Sequence, residues 1–339
     1  MARMRMNQAI AAAIGDEMRE NPDVVTFGED VAVAGGPFKT SDGLLEEFGP
    51  LRVRDTPIAE MGFMGAAVGA AATGLRPVAE IMFVEFLGVA LDQLVTEAAK
   101  FNYLSGGTVR VPMVMRASVG AGLGFGCQHS QVMESWMVGS PGLKIVVLSG
   151  PGNAYGLTRA AIRDDNPVAV LEPRILYAVR GDVTTGVEGI IPLGQAATLA
   201  SGDDITLVSC GSTVRTCLAA SADAGGWTAD VIDLQTLQPW DVEAVLSSVE
   251  RTGRLAVVEE CPYSGGWGAD IVAKVVSDSF GDLKAPPIRI TAPDVHVPFG
   301  KELEQRYLPS SEYVGAQVSE LLATGESPPH WWERDGALV

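Results

Sequence analysis

Glu60 is the residue whose surroundings most constrain its chemistry. It closes the run Arg54-Asp55-Thr56-Pro57-Ile58-Ala59-Glu60, and the stretch after it, from Gly65 to Gly74, holds only Gly, Ala, Val and Thr. That is the composition of a helix packed close against another backbone. A carboxyl at the mouth of such a helix has two readings. It is a first-turn acid favoured by the helix dipole, or a desolvated acid whose raised pKa lets it share a proton near neutral pH. A second chemical candidate is His129, one of three histidines, which ends the run Gly120-Ala121-Gly122-Leu123-Gly124-Phe125-Gly126-Cys127-Gln128-His129-Ser130. An imidazole on a loop suits general acid–base work; the structural alternative is a plain helix start in which Ser130 caps residues 131–136. The glycine spacing is not the G-x-G-x-x-G of a dinucleotide turn, and no G-x-x-x-x-G-K-[ST] phosphate loop occurs. Without a G-x-S-x-G elbow or a nominated acid for Ser130, a hydrolase is disfavoured.

These residues must be held by elements, and the chain supplies an alternation of short apolar strands with helical stretches, the pattern of parallel α/β layers. Strands are expected at 24–27, 77–83, 112–116, 144–148 and 167–171, with helices at 87–104 and 153–163. An irregular stretch from Tyr177 to Asp203 carries a short strand or two, and the pattern restarts with strands at 205–209, 228–233, 255–259 and 288–290. The reading is two α/β domains, residues 1–186 and 204–326, with a linker at 187–203 and a tail at 327–339. Ligands of open α/β sheets sit beyond the carboxyl ends of strands. Gly28-Glu29-Asp30, Glu85-Phe86 and the glycine run all fall there.

Bulk properties narrow the class. A length of 339 residues suits two domains. A hydrophobic content of 47% is that of an ordinary, rather apolar globular protein, and the excess shown by a mean hydropathy of +0.20 is more than a monomer's surface needs, so a sizeable interface is expected. A net charge of −18 argues against nucleic acid, which needs clustered Lys and Arg. The cysteines, Cys127, Cys210, Cys217 and Cys261, show no metal-ligand spacing and read as reduced thiols of a cytoplasmic protein. No apolar run is long enough for a membrane span.

Taken together the motifs are recognisable. The runs 55–63, 74–80 (Gly-Leu-Arg-Pro-Val-Ala-Glu), 91–94 (Leu-Asp-Gln-Leu), 128–131 (Gln-His-Ser-Gln) and 161–167 (Ala-Ile-Arg-Asp-Asp-Asn-Pro) closely resemble the beta chain of the thiamine-diphosphate-dependent 2-oxo acid dehydrogenases. Gly265-Gly266-Trp267-Gly268-Ala269, Thr291-Ala292-Pro293-Asp294 and Val297-Pro298-Phe299 resemble that family's C-terminal domain, so the likeness runs from about residue 5 to residue 325. It implies a transketolase-like fold, with a pyrimidine-binding domain followed by a smaller C-terminal domain. By the same resemblance Glu60 matches the glutamate at N1′ of the aminopyrimidine, where a carboxyl assists loss of the thiazolium C2 proton. Phe86 matches the ring stacked on the pyrimidine, Glu29 an acid near the same pocket, and His129 the histidine facing the substrate and the incoming lipoyl arm. Asp164 and Asn166, with backbone oxygens of Met113, Ala161 and Ile162, match a potassium site of some relatives; an ordinary helix-to-strand turn is the alternative, since oxygen-only coordination leaves little sequence trace.

One motif is missing. The cofactor's diphosphate and its Mg²⁺ need a Gly-Asp-Gly followed by Asn, and Gly181-Asp182-Val183, Gly202-Asp203-Asp204 and Gly281-Asp282-Leu283 all lack the second glycine. The resemblance therefore implies an alpha subunit that holds Mg²⁺ and shares the thiamine diphosphate. It further implies a heterotetramer of two alpha and two beta chains docked on a lipoyl-bearing acyltransferase core. The expected activity is decarboxylation of a small 2-oxo acid such as pyruvate, or cleavage of acetoin, with acyl transfer to lipoamide. Residues 82–93 resemble pyruvate- and acetoin-type chains more than branched-chain ones. The alternatives are a branched-chain beta chain, a secondary-metabolic acyl-transfer relative and a non-catalytic assembly subunit.

Overall fold

β-branched and other apolar residues concentrate in the runs expected as strands, and in the computed structural model, which describes residues 1–334, each of those runs forms one. The chain divides into two units. One comprises Met1–Val119, Trp136–Leu193 and Thr236–Pro239; the other comprises Gly120–Ser135, Gly194–Gln235 and the residues from Trp240 onward.

The first unit is built on a seven-stranded sheet. Its spatial order is Thr236–Gln238, Lys144–Val147, Val168–Pro173, Val114–Val119, Arg76–Phe83, Val24–Gly28, Val53–Asp55. All neighbours pair in parallel except Thr236–Gln238, which runs antiparallel to Lys144–Val147. Both faces must be covered in such a sheet, so its strands are almost continuously apolar. One layer is the N-terminal helix Met6–Glu20, whose Met6, Ile10, Ile14 and Met18 recur at helical spacing and pack into a core with Val24, Val78, Val114, Val168 and Leu157. The helix Glu60–Ala72 carries the small residues anticipated for close approach: a Cβ on Gly65 would lie 2.9 Å from Oε1 of Gln93. Gln93 itself opens a π-helical segment, Gln93–Ala98, between the α-helical pieces Leu87–Asp92 and Ala99–Leu104, so the expected 87–104 helix is continuous but locally widened.

The second unit holds a five-stranded sheet in the order Ile288–Ala292, Leu255–Pro262, Ile205–Ser209, Ala229–Asp233, Ala197–Ala200. Ile205, Leu207, Val231, Val258 and Ile290 meet Val314, Val318 and Leu321 of the helix Ser311–Thr324 in its core.

Four features depart from the sequence reading. Ala2–Arg5 is a strand, antiparallel to Arg180–Val183, before the first helix begins. A short strand expected in the 177–203 stretch is Ala197–Ala200, but it pairs with Ala229–Asp233 and so belongs to the second sheet and not to a linker. The glycine run and Thr236–Gln238 each join the unit opposite to the one their position in sequence suggested. The expected tail is structured at least to residue 334: the His330 ring stacks on Trp332 at 4.3 Å, Gln317 donates to the carbonyl of Pro329, and Trp331–Arg334 is helical. Aromatic stacking, which no hydrophobic period announces, holds that segment. Residues 335–339 of the expected tail lie outside the described residues.

Candidate active site

The strand Val24–Gly28 delivers Gly28-Glu29-Asp30 to the carboxyl edge of the first sheet, where a ligand of an open α/β sheet would sit. Asp30 takes a left-handed turn, φ +55°, and the chain after it is tied to the neighbouring edge strand. The Asp55 carboxylate accepts from the amides of Ala32 (2.7 Å) and Val33 (3.3 Å), and the Thr56 amide donates to the carbonyl of Gly28 at 3.0 Å. This stitching sets Glu29 and Glu60 beside each other. Glu60 starts its helix, as the dipole reading requires, and is also buried at 7% exposure, as the desolvation reading requires. Glu29 is equally buried, and its carboxyl lies within hydrogen-bonding reach of Glu60. Burial raises the Glu29 pKa, and the charges of Glu60 and Asp30 raise it further. Its Oε1 is buried with no hydrogen-bond partner among the described residues. A carboxyl made harder to ionise in this way, as Glu29 is, can offer a proton to a basic nitrogen.

Phe86 ends the short turn Val84–Phe86 and is half-buried, edge-on to Phe83 at 6.0 Å between ring centres. Phe83 is held in turn by Phe38 (5.8 Å) and by the Arg174 guanidinium over its face (4.9 Å).

His129 belongs to the second unit. Its Nδ1 lies against the carbonyl of Gln128. The alternative of a helix over 131–136 capped by Ser130 is not what forms: the helix is the four-residue Glu134–Met137, and Ser130 Oγ is buried with no hydrogen-bond partner among the described residues. The loop before His129 is shaped by glycine: Gly120, Gly122, Gly124 and Gly126 all have positive φ, between +72° and +101°.

The corner nominated for potassium is held together by side-chain cations. Nη1 of Arg76 donates to the carbonyls of Ile162 and Asp164, both at 3.0 Å. The Asp164 carboxylate takes Lys144 Nζ on one oxygen and the amide and side chain of Asn166, each at 2.9 Å, on the other. The carbonyl of Met113 accepts from the Val168 amide, and that of Ala161 from the Asp164 amide.

Comparison with known proteins decides the family. Residues 2–180 match the transketolase pyrimidine-binding domain, and residues 194–314 match the transketolase C-terminal domain. The pyruvate dehydrogenase E1 component subunit beta of Rhizobium meliloti (strain 1021) is 43% identical, over 93% of this chain and 69% of that protein. The beta subunits of acetoin:2,6-dichlorophenolindophenol oxidoreductase from Bacillus subtilis (strain 168) and Cupriavidus necator are 41% and 40% identical, covering 98% and 100% of those proteins. The chain belongs to this transketolase-like beta-subunit family. A solved structure described as "Split gene transketolase, inactive beta4 tetramer" shares the fold, with a TM-score of 0.76 at 24% identity over 94% of this chain and 98% of that one.

In this beta-subunit chain the sequence reading missed a buried ion network under the acid pair's sheet. Arg116 donates bidentately to Glu172 (2.8 and 2.9 Å) and also to Glu80, tying three neighbouring strands, while Tyr177 donates to Glu172 at 2.7 Å. The available signal was a charged residue within each of three largely apolar strands, Glu80, Arg116 and Glu172. Also missed were Glu260 and Glu304, whose carboxylates receive the amides of Ala121, Gly122 and Gly124 in the glycine loop; no motif singles them out in sequence.

Proposed function

We propose that this chain is the beta half of a two-chain thiamine-diphosphate enzyme that decarboxylates pyruvate or cleaves acetoin and passes the two-carbon acyl unit to lipoamide. The observation that carries the reading is the buried Glu29–Glu60 pair at the sheet's carboxyl edge, in a chain whose relatives are beta subunits of such enzymes. The cofactor fits these residues. The orphaned Glu29 Oε1 and the neighbouring Glu60 offer acceptors and a shareable proton to a nitrogen heterocycle, as an aminopyrimidine ring requires. When bound, thiamine diphosphate supplies the acidic carbon and the electron sink that a 2-oxo acid lacks. This chain's own part is then to hold a proton at N1′ with Glu60, tuned by Glu29, to cover the ring with Phe86, and to manage a proton on the acyl side with the His129 imidazole.

Diphosphate and Mg²⁺ belong to the alpha subunit, in keeping with the absence of a Gly-Asp-Gly motif in this sequence. The assembly proposed is two alpha and two beta chains on a lipoyl-bearing acyltransferase core. A potassium ion at the Met113–Ala161–Ile162–Asp164–Asn166 corner belongs to the proposal only in exchange for Lys144, which holds the same carboxylate. Comparing the thermal stability of the assembled enzyme in potassium and in sodium checks it. A cytoplasmic setting is supported by four free thiols, three of them buried, and no described helix is long and apolar enough to cross a membrane.

The test is 2-oxo acid-dependent dye reduction by the chain alone and by the chain co-purified with its alpha partner. Activity is expected only in the pair. Full turnover by the isolated chain refutes the reading.

A further inference from the structure

The glycine run fails as a nucleotide motif, yet its geometry is that of an anion-binding nest. With alternate residues at positive φ, successive backbone N–H groups turn toward one side and create a concavity of partial positive charge. In this chain the concavity is filled from within. Glu304, 2% exposed on the helix Lys301–Tyr307, accepts the amide of Gly122 on Oε1 at 2.8 Å and that of Gly124 on Oε2 at 3.0 Å. Glu260 at the end of the strand Leu255–Pro262 accepts the Ala121 amide at 2.6 Å, and its other oxygen takes the Ser212 hydroxyl at 2.7 Å. The loop is fixed sterically as well. Ala121 packs with Ala292, Val297 and Tyr307, and a Cβ on Gly126 would lie 2.6 Å from the Phe299 ring. Three residues beyond that contact stands His129, whose own amide donates to the carbonyl of Gly126 at 3.2 Å.

We infer that Glu304, assisted by Glu260, is a positioning residue for the reaction: by occupying the glycine nest it sets where the His129 imidazole stands. The inference rests on the proposed acyl-side role of His129. A carboxylate suits the task because charge-assisted bonds to backbone amides are about twice as strong as neutral ones. It also closes the nest to phosphate or any other anion.

The test uses the enzyme assembled with its alpha partner. In the unmodified enzyme, hydrogen exchange at the amides of Gly122 and Gly124 should be slow, and Glu304→Gln should accelerate it; rapid exchange in the unmodified enzyme overturns the inference, whether or not the variant assembles. Glu304→Gln should lower the rate of lipoamide acylation about 10–100-fold, the cost of a misplaced catalytic group, while H/D exchange at the cofactor's C2 stays unchanged. Glu260→Gln, which spares the Glu304 bonds, should show the same split to a smaller degree. Acting through the imidazole, Glu304→Gln should add nothing in a His129→Ala background. A full additional loss there overturns the positioning role and leaves the His129 reading standing. Normal acylation by His129→Ala alone removes the His129 reading, and this inference with it.

Discussion

Glu60 is at once a first-turn carboxylate and a buried one, and in the proposed reading its chemistry comes from burial beside a second acid. Its partner Glu29 lies thirty-one positions earlier, so the pair exists only once two parallel strands set their carboxyl ends side by side. The local sequence therefore showed the acid but not its coupling. Glu60→Gln should keep the fold and slow C2 H/D exchange in the assembled enzyme, because an amide cannot hold the proton; wild-type exchange would refute the role. His129→Ala should leave that exchange intact and reduce lipoamide acylation by about 10²–10⁴-fold, the usual worth of a general acid–base group. A different acid governs pH. Glu134 is buried beside the Cys261 thiol, and burial pushes its pKa up to about 8 from 4.5. Between those values the folded chain holds a proton that the unfolded chain has lost. Stability therefore falls as pH rises through that window, by up to about 1.4 kcal/mol per pH unit, and levels above it. Urea unfolding from pH 5 to 9 should show this slope, and Glu134→Gln should reduce it, the remainder belonging to other buried carboxyls such as Glu29.

Strands were the most legible elements, since a sheet buried on both faces leaves apolar runs bounded by turns. What escaped depended on distant partners: the strand Thr236–Gln238, the sheet to which Ala197–Ala200 belongs, and the aromatic stack around His330. The Arg116 network is also an element-level device, because one guanidinium pins the strands Arg76–Phe83, Val114–Val119 and Val168–Pro173 through Glu80 and Glu172. Arg116→Met would leave two buried carboxylates without their cation. A destabilisation of about 3–5 kcal/mol is expected, read by urea unfolding; a loss below 1 kcal/mol would mean that the acids are already neutral in the folded chain. Adding Glu172→Gln should recover part of it, by removing one of the stranded charges.

At the scale of the whole molecule, specificity is the property least written in this chain, because part of the substrate pocket would come from the alpha subunit. If Phe86 covers the cofactor ring as proposed, it would leave room for a two-carbon acyl unit; one extra methylene is worth only about 1–3 kcal/mol, so discrimination should be partial. The kcat/KM values of the assembled enzyme for pyruvate, acetoin and 3-methyl-2-oxobutanoate should fall lowest for the branched acid; a preference for it would refute the two-carbon reading. The exchanged segments carry a consequence for how this chain can be made. The edge of the first sheet is closed by Thr236–Gln238, and the nest that receives Glu304 is contributed by Gly120–Ser135. No single scission yields two self-sufficient pieces. On the ribosome, the strand Lys144–Val147 waits for some ninety further residues with one edge bare, and bare edges recruit other chains. A fragment ending at residue 193 should therefore aggregate although it contains six of the seven strands of its sheet, and nascent chains stalled before residue 236 should need a chaperone that full-length chains can do without.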